Sequence, residues 1–467
     1  MSLLLKELSH YHFVGVAGIG MSALAQLLRA RGDDVSGSDR YFDMGQLPGR
    51  MAKLRMQGVR LFPQDGSGVT SDITHIVRSS AIETDNRDLH RAEGLGISSV
   101  HRSSLLASIF HGCDRGVAVT GSYGKTTITA MIGWVLVSAG LEPAIVNGGI
   151  MRNFETEEAI GNAVAGDGSI ACIEADESDG TCVRYRPSIG VITGLARDHK
   201  ELDELQRIYM TFAENSTDAL VLSAQASASL FGAAAPRQVV FGLQTGDIHP
   251  RQIRFGKREV RFSIGTVRFR TRQIGLCSVF NALATIAVAR ELGVSDARTE
   301  AGLRSFEGVA RHMELIARVN GITVYDDFAH NPSKIEAAID AVRAAESGRI
   351  LAVFQPHGFG PARFMRTDLA ETFERILGNE DRAFLLPIYY IGGAAKRDIS
   401  SEDIAADCAA RSVPIEAVQS REALMARLIE EARENDTILV MGARDDSLRA
   451  LCRQIAERIE ARSASDS

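Results

Sequence analysis

The chain has 467 residues, 45% of them hydrophobic and 24% charged, which is typical of a folded protein with two or three domains. Its 52 basic and 59 acidic residues give a net charge of −7 without a long run of one sign, so we expect small-molecule chemistry and no nucleic-acid partner. Six cysteines without a C-x-x-C pair, no signal-peptide pattern and no apolar run of membrane-spanning length predict a cytoplasmic protein without a membrane partner.

The N-terminal region predicts a strand, a glycine-rich turn and a helix. HYHFVGVAG leads into MSALAQLLRARG, and the turn between them contains Gly18-x-Gly20-x-x-Ala23, with Asp39 at the end of the next predicted strand. Glycines in such a turn let the backbone approach a pyrophosphate at a helix N-terminus. This motif fits the dinucleotide of a dehydrogenase, a nucleotide-sugar diphosphate, or a tight turn without a ligand.

A second strand and helix enclose VTGSYGKTT, residues 119–127, a short phosphate loop without the first glycine of the full P-loop pattern. Backbone N–H groups of such a loop cradle phosphate oxygens, Lys125 supplies a positive charge, and a threonine hydroxyl can bind Mg²⁺. The motif predicts nucleoside triphosphate binding, for which a dehydrogenase has no use.

Two polar segments, EADESDG (174–180) and TGLARDHKEL (193–202), follow predicted buried strands. Ligands of open α/β sheets bind at the carboxyl ends of the strands. Glu174 and His199 are therefore candidate metal ligands beside the phosphates, with a solvated acidic loop and a structural histidine as the alternatives.

The last third continues the strand–helix alternation with two further candidate sites. VYDDFAHNP places Asp326, Asp327 and His330 at a strand end, where they could bind a ribose or a metal or cap the following helix. FQPHGFGPARF offers His357 and Arg363 in a loop that suits carboxylate recognition, or only solvent contact.

The alternation as a whole predicts an α/β fold with mostly parallel sheets. Residues 251–275 break it and predict antiparallel hairpin strands. We place domain boundaries near residues 109 and 313.

In this order, the motifs resemble the Mur ligase family of ATP-dependent amino-acid ligases of peptidoglycan synthesis, and the resemblance covers essentially the whole chain. The resemblance rests on the motifs HFVGVAGIGMSALA, VSGSD, RSSAI, GSYGKTT, VNGG, EADESD, the Asp-His pair at 198–199, DDFAHNP and FQPH. The resemblance implies a Rossmann-like UDP-sugar domain (1–108), a central P-loop ATPase domain (109–312) and a Rossmann-like C-terminal domain with amino-acid and ATP contacts (313–467).

The resemblance also implies substrates and roles: ATP with Mg²⁺ or Mn²⁺, UDP-N-acetylmuramate and an amino acid, in a monomer or weak homodimer. The implied UDP-sugar residues are Gly18, Ile19, Gly20, Met21, Ser22, Asp39, Ser79 and Ser80. The implied ATP residues are Gly121, Gly124, Lys125, Thr126, Thr127, Asn281 (adenine) and Asp327 (ribose). Metal ligands would be Thr126, Glu174 and His199, catalytic residues Lys125, His199, Arg311 and His330, and amino-acid residues His357 and Arg363.

The chain departs from the family pattern where ATP and the amine would be bound. Cys277 and Ser278 replace a His-Asn pair, Arg311-His312 replaces paired arginines, and residues 358–363 replace an arginine-led run after FQPH. Two alternatives therefore stay open: a ligase that recycles a preformed tripeptide, and a regulatory paralogue that binds nucleotides with weak turnover.

Overall fold

A computed structural model describes residues 9–178, 180–196, 201–230, 237–257, 259–390 and 396–465. The chain forms two compact units. The first comprises residues up to 252, 262–270 and 279–308, and the second comprises 253–261, 271–278 and the residues from 309 onward.

The N-terminal sheet of the first unit has the strand order β3-β2-β1-β4-β5, and all neighbouring strands are parallel. Its strands are β1 (His10–Val14), β2 (Asp34–Ser38), β3 (Arg60–Phe62), β4 (His75–Arg78) and β5 (Ser98–His101). Its helices are α1 (Ile19–Ala30), α2 (Arg40–Asp43), α3 (Pro48–Met56), α4 (Arg87–Gly94) and α5 (Arg102–His111). Parallel pairing places the ends of β1, β2 and β4 at one edge, where the predicted UDP-sugar residues follow.

The central sheet of the same unit has the order β12-β11-β10-β6-β9-β7-β8, parallel except for the β7–β8 pair. Its strands are β6 (Arg115–Thr120), β7 (Ala144–Val146), β8 (Ala163–Val164), β9 (Ile170–Glu174), β10 (Ile189–Ile192), β11 (Ala219–Ser223) and β12 (Gln238–Phe241). Around it are α6 (Lys125–Ser138), α7 (Leu202–Glu214), α8 (Ala224–Ser229), α9 (Leu276–Glu291), α10 (Asp296–Ser305) and 3-10 turns at Arg152–Phe154 and Thr181–Arg184.

Strand β6 shows why this sheet forms. Its sequence RGVAVT is buried from the second residue onward, and the following helix α6 is also largely buried. A strand covered on both faces reads as a continuous apolar run, as parallel sheets require.

The predicted strands within 251–275 are present as β13 (Arg251–Phe255), β14 (Val260–Ile264) and β15 (Val267–Thr271), ordered consecutively in a small sheet. This consecutive order is what hairpin connections produce.

The sheet of the second unit has the order β16-β17-β21-β18-β19-β20, parallel except for the β16–β17 pair. The strands are β16 (Glu314–Val319), β17 (Ile322–Asp327), β18 (Ile350–Phe354), β19 (Arg382–Leu385), β20 (Ile415–Ala417) and β21 (Thr437–Met441). The helices are α11 (Pro332–Ala345), α12 (Phe359–Phe364), α13 (Arg366–Ile376), α14 (Ser401–Ala409), α15 (Arg421–Glu431) and α16 (Leu448–Ser465). The predicted α/β class with mostly parallel sheets is confirmed.

The predicted domain boundaries stay predictions. Residue 109 lies within α5, and β6 begins at Arg115. Among the helices of the described residues, none has the length and apolarity needed to cross a membrane. All six cysteines lie in described parts of the chain and are free thiols.

Candidate active site

Three loops meet where the central strands of the first unit end. Strand β6 lies between β10 and β9, so the segments that follow these three strands share one edge of the sheet. They are the phosphate loop (residues 121–127), the acidic loop (174–180) and the start of 193–202. The topology therefore brings the phosphate loop together with two segments that begin about 50 and 70 positions later in sequence.

Glycine is required at both ends of the phosphate loop. Gly121 has a φ of +126° and Gly124 a φ of +77°. A Cβ atom on Gly121 would lie 2.2 Å from Thr193 Oγ1, and one on Gly124 would lie 3.0 Å from Asn281 Oδ1. The backbone conformation favours glycine at both positions, and at Gly121 close packing against Thr193 also leaves no room for a side chain.

The Lys125 ammonium is held inside the phosphate loop. Its Nζ donates to the Gly121 carbonyl at 2.9 Å and lies 3.0 and 2.8 Å from the two carboxylate oxygens of Glu177. Burial by itself lowers the pKa of Lys125, but the carboxylates of Glu177 and Glu174 outweigh it and the pKa is raised. The lysine therefore stays charged where phosphates are expected.

Two of the three predicted metal ligands, Thr126 and Glu174, contact each other. The Thr126 hydroxyl donates to Glu174 Oε1 at 3.0 Å, and the Gly148 N–H donates to Glu174 Oε2 at 2.8 Å. Burial raises the pKa of Glu174. A hydroxyl and a carboxylate are hard oxygen ligands that suit Mg²⁺, although the described residues contain no group of three or more metal-binding side chains.

The third predicted ligand, His199, lies outside the described residues. The segment leading to it is bound to the phosphate loop: Ser122 N donates to the Gly194 carbonyl, and Ser122 Oγ exchanges hydrogen bonds with the backbone of Ala196 at 2.9 and 3.0 Å. Gly194 and Ala196 therefore lie beside the phosphate loop.

Asn281 and Thr127 also belong to this region. Asn281 lies in α9, is 8% exposed, and its Oδ1 packs against Gly124. Thr127 is half-buried in the first turn of α6. Next to Asn281, Phe280 packs against the ring of Tyr123 at 5.7 Å between centroids.

The N-terminal turn offers backbone N–H groups, at the start of α1, as the possible contacts for a phosphate. Gly18, the N-cap residue of α1, makes no side-chain cap hydrogen bond, and Ile19 and Gly20 begin the helix. The side chains of Met21 and Ser22 are buried, and Ser22 N donates to the Gly18 carbonyl at 2.8 Å.

Asp39, which sequence reasoning assigned to the UDP-sugar, supports this turn. Its buried carboxylate accepts from Ala17 N at 2.8 Å and from Tyr41 N at 2.9 Å, and burial raises its pKa. Ser79 and Ser80 follow β4 at the same edge; Ser79 is half-buried and Ser80 is exposed.

In the second unit, Arg311 is the centre of a buried polar cluster. Its guanidinium donates to Asp326 Oδ2 at 3.3 Å, to the Ala443 carbonyl at 3.1 Å and to the Gly442 carbonyl. Burial raises the pKa of Asp326 to about 7 even with this partner. The neighbouring His312 stacks on Phe328, and burial together with Arg311 lowers its pKa to about 4, so the ring is neutral at pH 7.

Asp327 and His330 follow β17. The Asp327 carboxylate accepts from Met313 N at 2.7 Å and from Ala329 N at 2.8 Å, and burial raises its pKa to about 6. His330 Nδ1 bonds the Phe328 carbonyl at 2.8 Å, and the ring lies 5.5 Å from that of His357.

The two residues predicted to bind the amino-acid substrate, His357 and Arg363, differ in their hydrogen bonds. His357 Nδ1 is buried without a hydrogen-bond partner among the described residues, and burial lowers the pKa of the ring. Arg363 donates to the carboxylate of Asp398 and to the Lys396 carbonyl at 3.1 Å. His357 therefore retains a polar atom for a ligand, whereas the Arg363 guanidinium is already bound to Asp398 and Lys396.

Sequence reasoning missed Glu177 and Asn162. Glu177 lies in the acidic segment 174–180, and its place among the four carboxylates there was the only signal for it. Asn162 bonds the Ile19 carbonyl, Ser22 and Gln26 at 2.7–2.9 Å, and no sequence pattern marked it.

A parallel sheet whose central strand leads into a Gly-Lys-Thr loop defines an α/β protein that binds nucleoside triphosphates. Three family models match the chain: the Mur ligase family catalytic domain over residues 10–112, the Mur ligase middle domain over 119–289, and the Mur ligase glutamate ligase domain over 311–444. The chain belongs to the Mur ligase family.

Similar proteins agree with this assignment. A curated UDP-N-acetylmuramate–L-alanine ligase from a Synechococcus species is 34% identical over 97% of this chain and 94% of its own length. The crystal structure of a UDP-N-acetylmuramate-alanine ligase from Thermotoga maritima is 25% identical, with a TM-score of 0.81 over 98% of this chain and 100% of that one. A murein peptide ligase from Psychrobacter arcticus, 22% identical with a TM-score of 0.67 over 97% and 98% of the two chains, shares the fold.

Proposed function

We propose that this chain joins L-alanine to the carboxylate of UDP-N-acetylmuramate at the expense of ATP, in peptidoglycan precursor synthesis. It is an ATP-dependent ligase that forms a C–N bond. The observation that carries the proposal is the arrangement of Lys125, Thr126 and Glu174 around the phosphate loop. The names of the Synechococcus and Thermotoga relatives support alanine as the acceptor.

The reaction has two steps. The muramoyl carboxylate attacks the γ-phosphorus of ATP, which releases ADP and leaves an acyl phosphate. The amine of alanine then attacks the acyl carbon, loses a proton, and expels phosphate to leave an amide. Both steps gather negative charge, so the protein contributes mainly positioning and electrostatic stabilisation.

The phosphate loop supplies the positive end of this site. Gly121, Gly124 and Thr127 place backbone N–H groups for the phosphates, Lys125 neutralises the γ-phosphoryl oxygens, and Asn281 contacts adenine. A divalent cation, Mg²⁺ or Mn²⁺, would be held by Thr126, Glu174 and His199 and would neutralise phosphate charge.

In this proposal the N-terminal sheet binds the UDP-sugar, and the second unit contacts the ATP ribose and the amino acid. The turn at Gly18–Ser22, with Asp39, Ser79 and Ser80 at the same sheet edge, holds the UDP diphosphate at the start of α1. Asp327 contacts the ATP ribose, His330 and His357 face the incoming amine and its carboxylate, and Arg363 borders them.

In this proposal Arg311 has a structural role, because its guanidinium binds Asp326 and so positions the end of β17, where Asp327 lies. A cytoplasmic location, and a monomer or weak homodimer without nucleic-acid or membrane partners, belong to the same proposal.

An acceptor screen tests the function. Phosphate release is measured with ATP, Mg²⁺ and UDP-N-acetylmuramate, while the acceptor is varied among L-alanine, glycine, L-serine and a preformed tripeptide. We expect release with L-alanine above all others. Release with the tripeptide alone would reassign the chain to peptide recycling, and nucleotide binding without any release would make it a regulatory binder.

A further inference from the structure

The acidic loop contributes the Glu177 carboxylate to a buried ion pair with Lys125, and the proposed reaction does not use this carboxylate. The Glu177 carboxylate lies 2.8 Å from Lys125 Nζ, and the two side chains are 7% and 15% exposed. Neither the proposed metal site nor the phosphate contacts assign a task to Glu177.

We propose that Glu177 is a positioning residue for the ligation reaction, whose carboxylate holds the Lys125 ammonium at the phosphate loop before and during nucleotide binding. The proposal rests on the proposed function, because it concerns the lysine that meets the γ-phosphoryl group.

The pair persists when nucleotide binds, because separating it is costly. Moving the ammonium away would leave a buried carboxylate without a counter-charge, which is strongly destabilising. An ammonium carries three N–H donors. Among the described residues, Gly121 O and Glu177 accept from Lys125, so one donor remains for a phosphate oxygen.

Other carboxylates of the acidic loop do not have this contact. Glu174 is bound by Thr126 and Gly148, and Asp176 accepts from Ser178 N at 3.0 Å. Asp179 lies outside the described residues. Glu177 is thus the described acidic-loop carboxylate that pairs with the lysine, and Asp176 offers a control for removing one charge from the same loop.

A double-mutant cycle tests the proposal. Glu177→Gln, Lys125→Met, the double variant and the control Asp176→Asn are compared by kcat/KM for ATP in the full chain. We expect Glu177→Gln to lower kcat/KM about tenfold, mostly through kcat, and to add less than about twofold in the Lys125→Met background. Asp176→Asn should stay within about twofold of wild type, and Glu177→Asp should recover part of kcat.

Multiplicative losses from Glu177→Gln and Lys125→Met, or equal losses from Glu177→Gln and Asp176→Asn, would overturn the positioning role. If Lys125→Met lowers the melting temperature, Lys125→Arg replaces it in the same cycle. A wild-type chain that binds Mg-ADP but releases no phosphate with any acceptor overturns the proposed function instead. The cycle is then measured on Mg-ADP affinity, where additive effects overturn the pairing and coupled effects support it.

Discussion

The phosphate loop and the Arg311 cluster both contain a largely buried cation beside carboxylates, yet they differ in whether the cation keeps a hydrogen-bond donor for a ligand. In the phosphate loop, Lys125 donates to the Gly121 carbonyl and pairs with Glu177, and the Thr126 hydroxyl donates to Glu174. In the Arg311 cluster (Arg311, Glu314 and Asp326), the guanidinium is bound by a carboxylate and two backbone carbonyls.

The role of a charged motif can be inferred from whether the protein itself satisfies all of its hydrogen bonds. A charge whose bonds are completed by the protein stabilises the fold, because breaking them leaves an uncompensated buried group. A charge that keeps a donor or a lone pair at a sheet edge can bind a ligand while it keeps its protein partners. On this basis we assign chemistry to the phosphate loop and support to the Arg311 cluster.

The largest effect is expected for Lys125→Met. The variant keeps most of the side-chain volume but removes the charge at the phosphates, so we expect kcat for phosphate release to fall about 10²–10³-fold or more. The exposed Lys257→Met serves as the control. Retention of more than a tenth of the wild-type kcat would contradict the assignment of the chemistry to the phosphate loop.

Glu174→Gln should reduce kcat/KM about a hundredfold at low Mg²⁺, because an amide is a weaker ligand for a hard cation than a carboxylate. Excess Mg²⁺ should restore part of the activity. Titrations of Mg²⁺ against phosphate release measure this, with the exposed Glu142→Gln as control. An unchanged Mg²⁺ requirement would remove Glu174 from the metal site.

Arg311→Met should act on stability. Removing the guanidinium leaves Asp326 buried and unpaired, so the free energy of unfolding should fall by about 3–5 kcal/mol. Urea unfolding measures this, and the exposed Arg304→Met should be neutral. Wild-type stability together with a large loss of kcat would show instead that Arg311 acts in the chemistry.

His357→Asn should have the smallest effect. We expect the KM for alanine to rise about tenfold, the loss of one hydrogen bond to a charged group, while the KM for ATP stays constant. Arg363→Lys, which changes a side chain already bound to Asp398, should alter the alanine KM less. Equal changes in both variants would contradict the distinction between His357 and Arg363.

Local motifs predicted the parts of the site that depend on neighbouring residues. The phosphate loop, the helix after it and the strands of 251–275 are visible in sequence because glycines, apolar runs and turn residues act over short distances. Parallel strand order then explains why Glu174 reaches Thr126 across 48 positions.

Contacts that depend on tertiary placement could not be predicted. The carbonyls that bind Arg311 come from residues 131 and 132 positions away, and Arg311 itself has a left-handed backbone with φ of +61°. Asn162 reaches Ile19 across 143 positions. No periodicity or spacing records such pairs, because each depends on how distant elements pack.

The central claim is that the phosphate loop activates the carboxylate of UDP-N-acetylmuramate. It is tested most directly with substrate labelled by ¹⁸O in that carboxylate, incubated with ATP, Mg²⁺ and L-alanine, followed by mass analysis of the released phosphate. The account predicts that each phosphate released carries one oxygen from the carboxylate. Amide formation that yields unlabelled phosphate would contradict it.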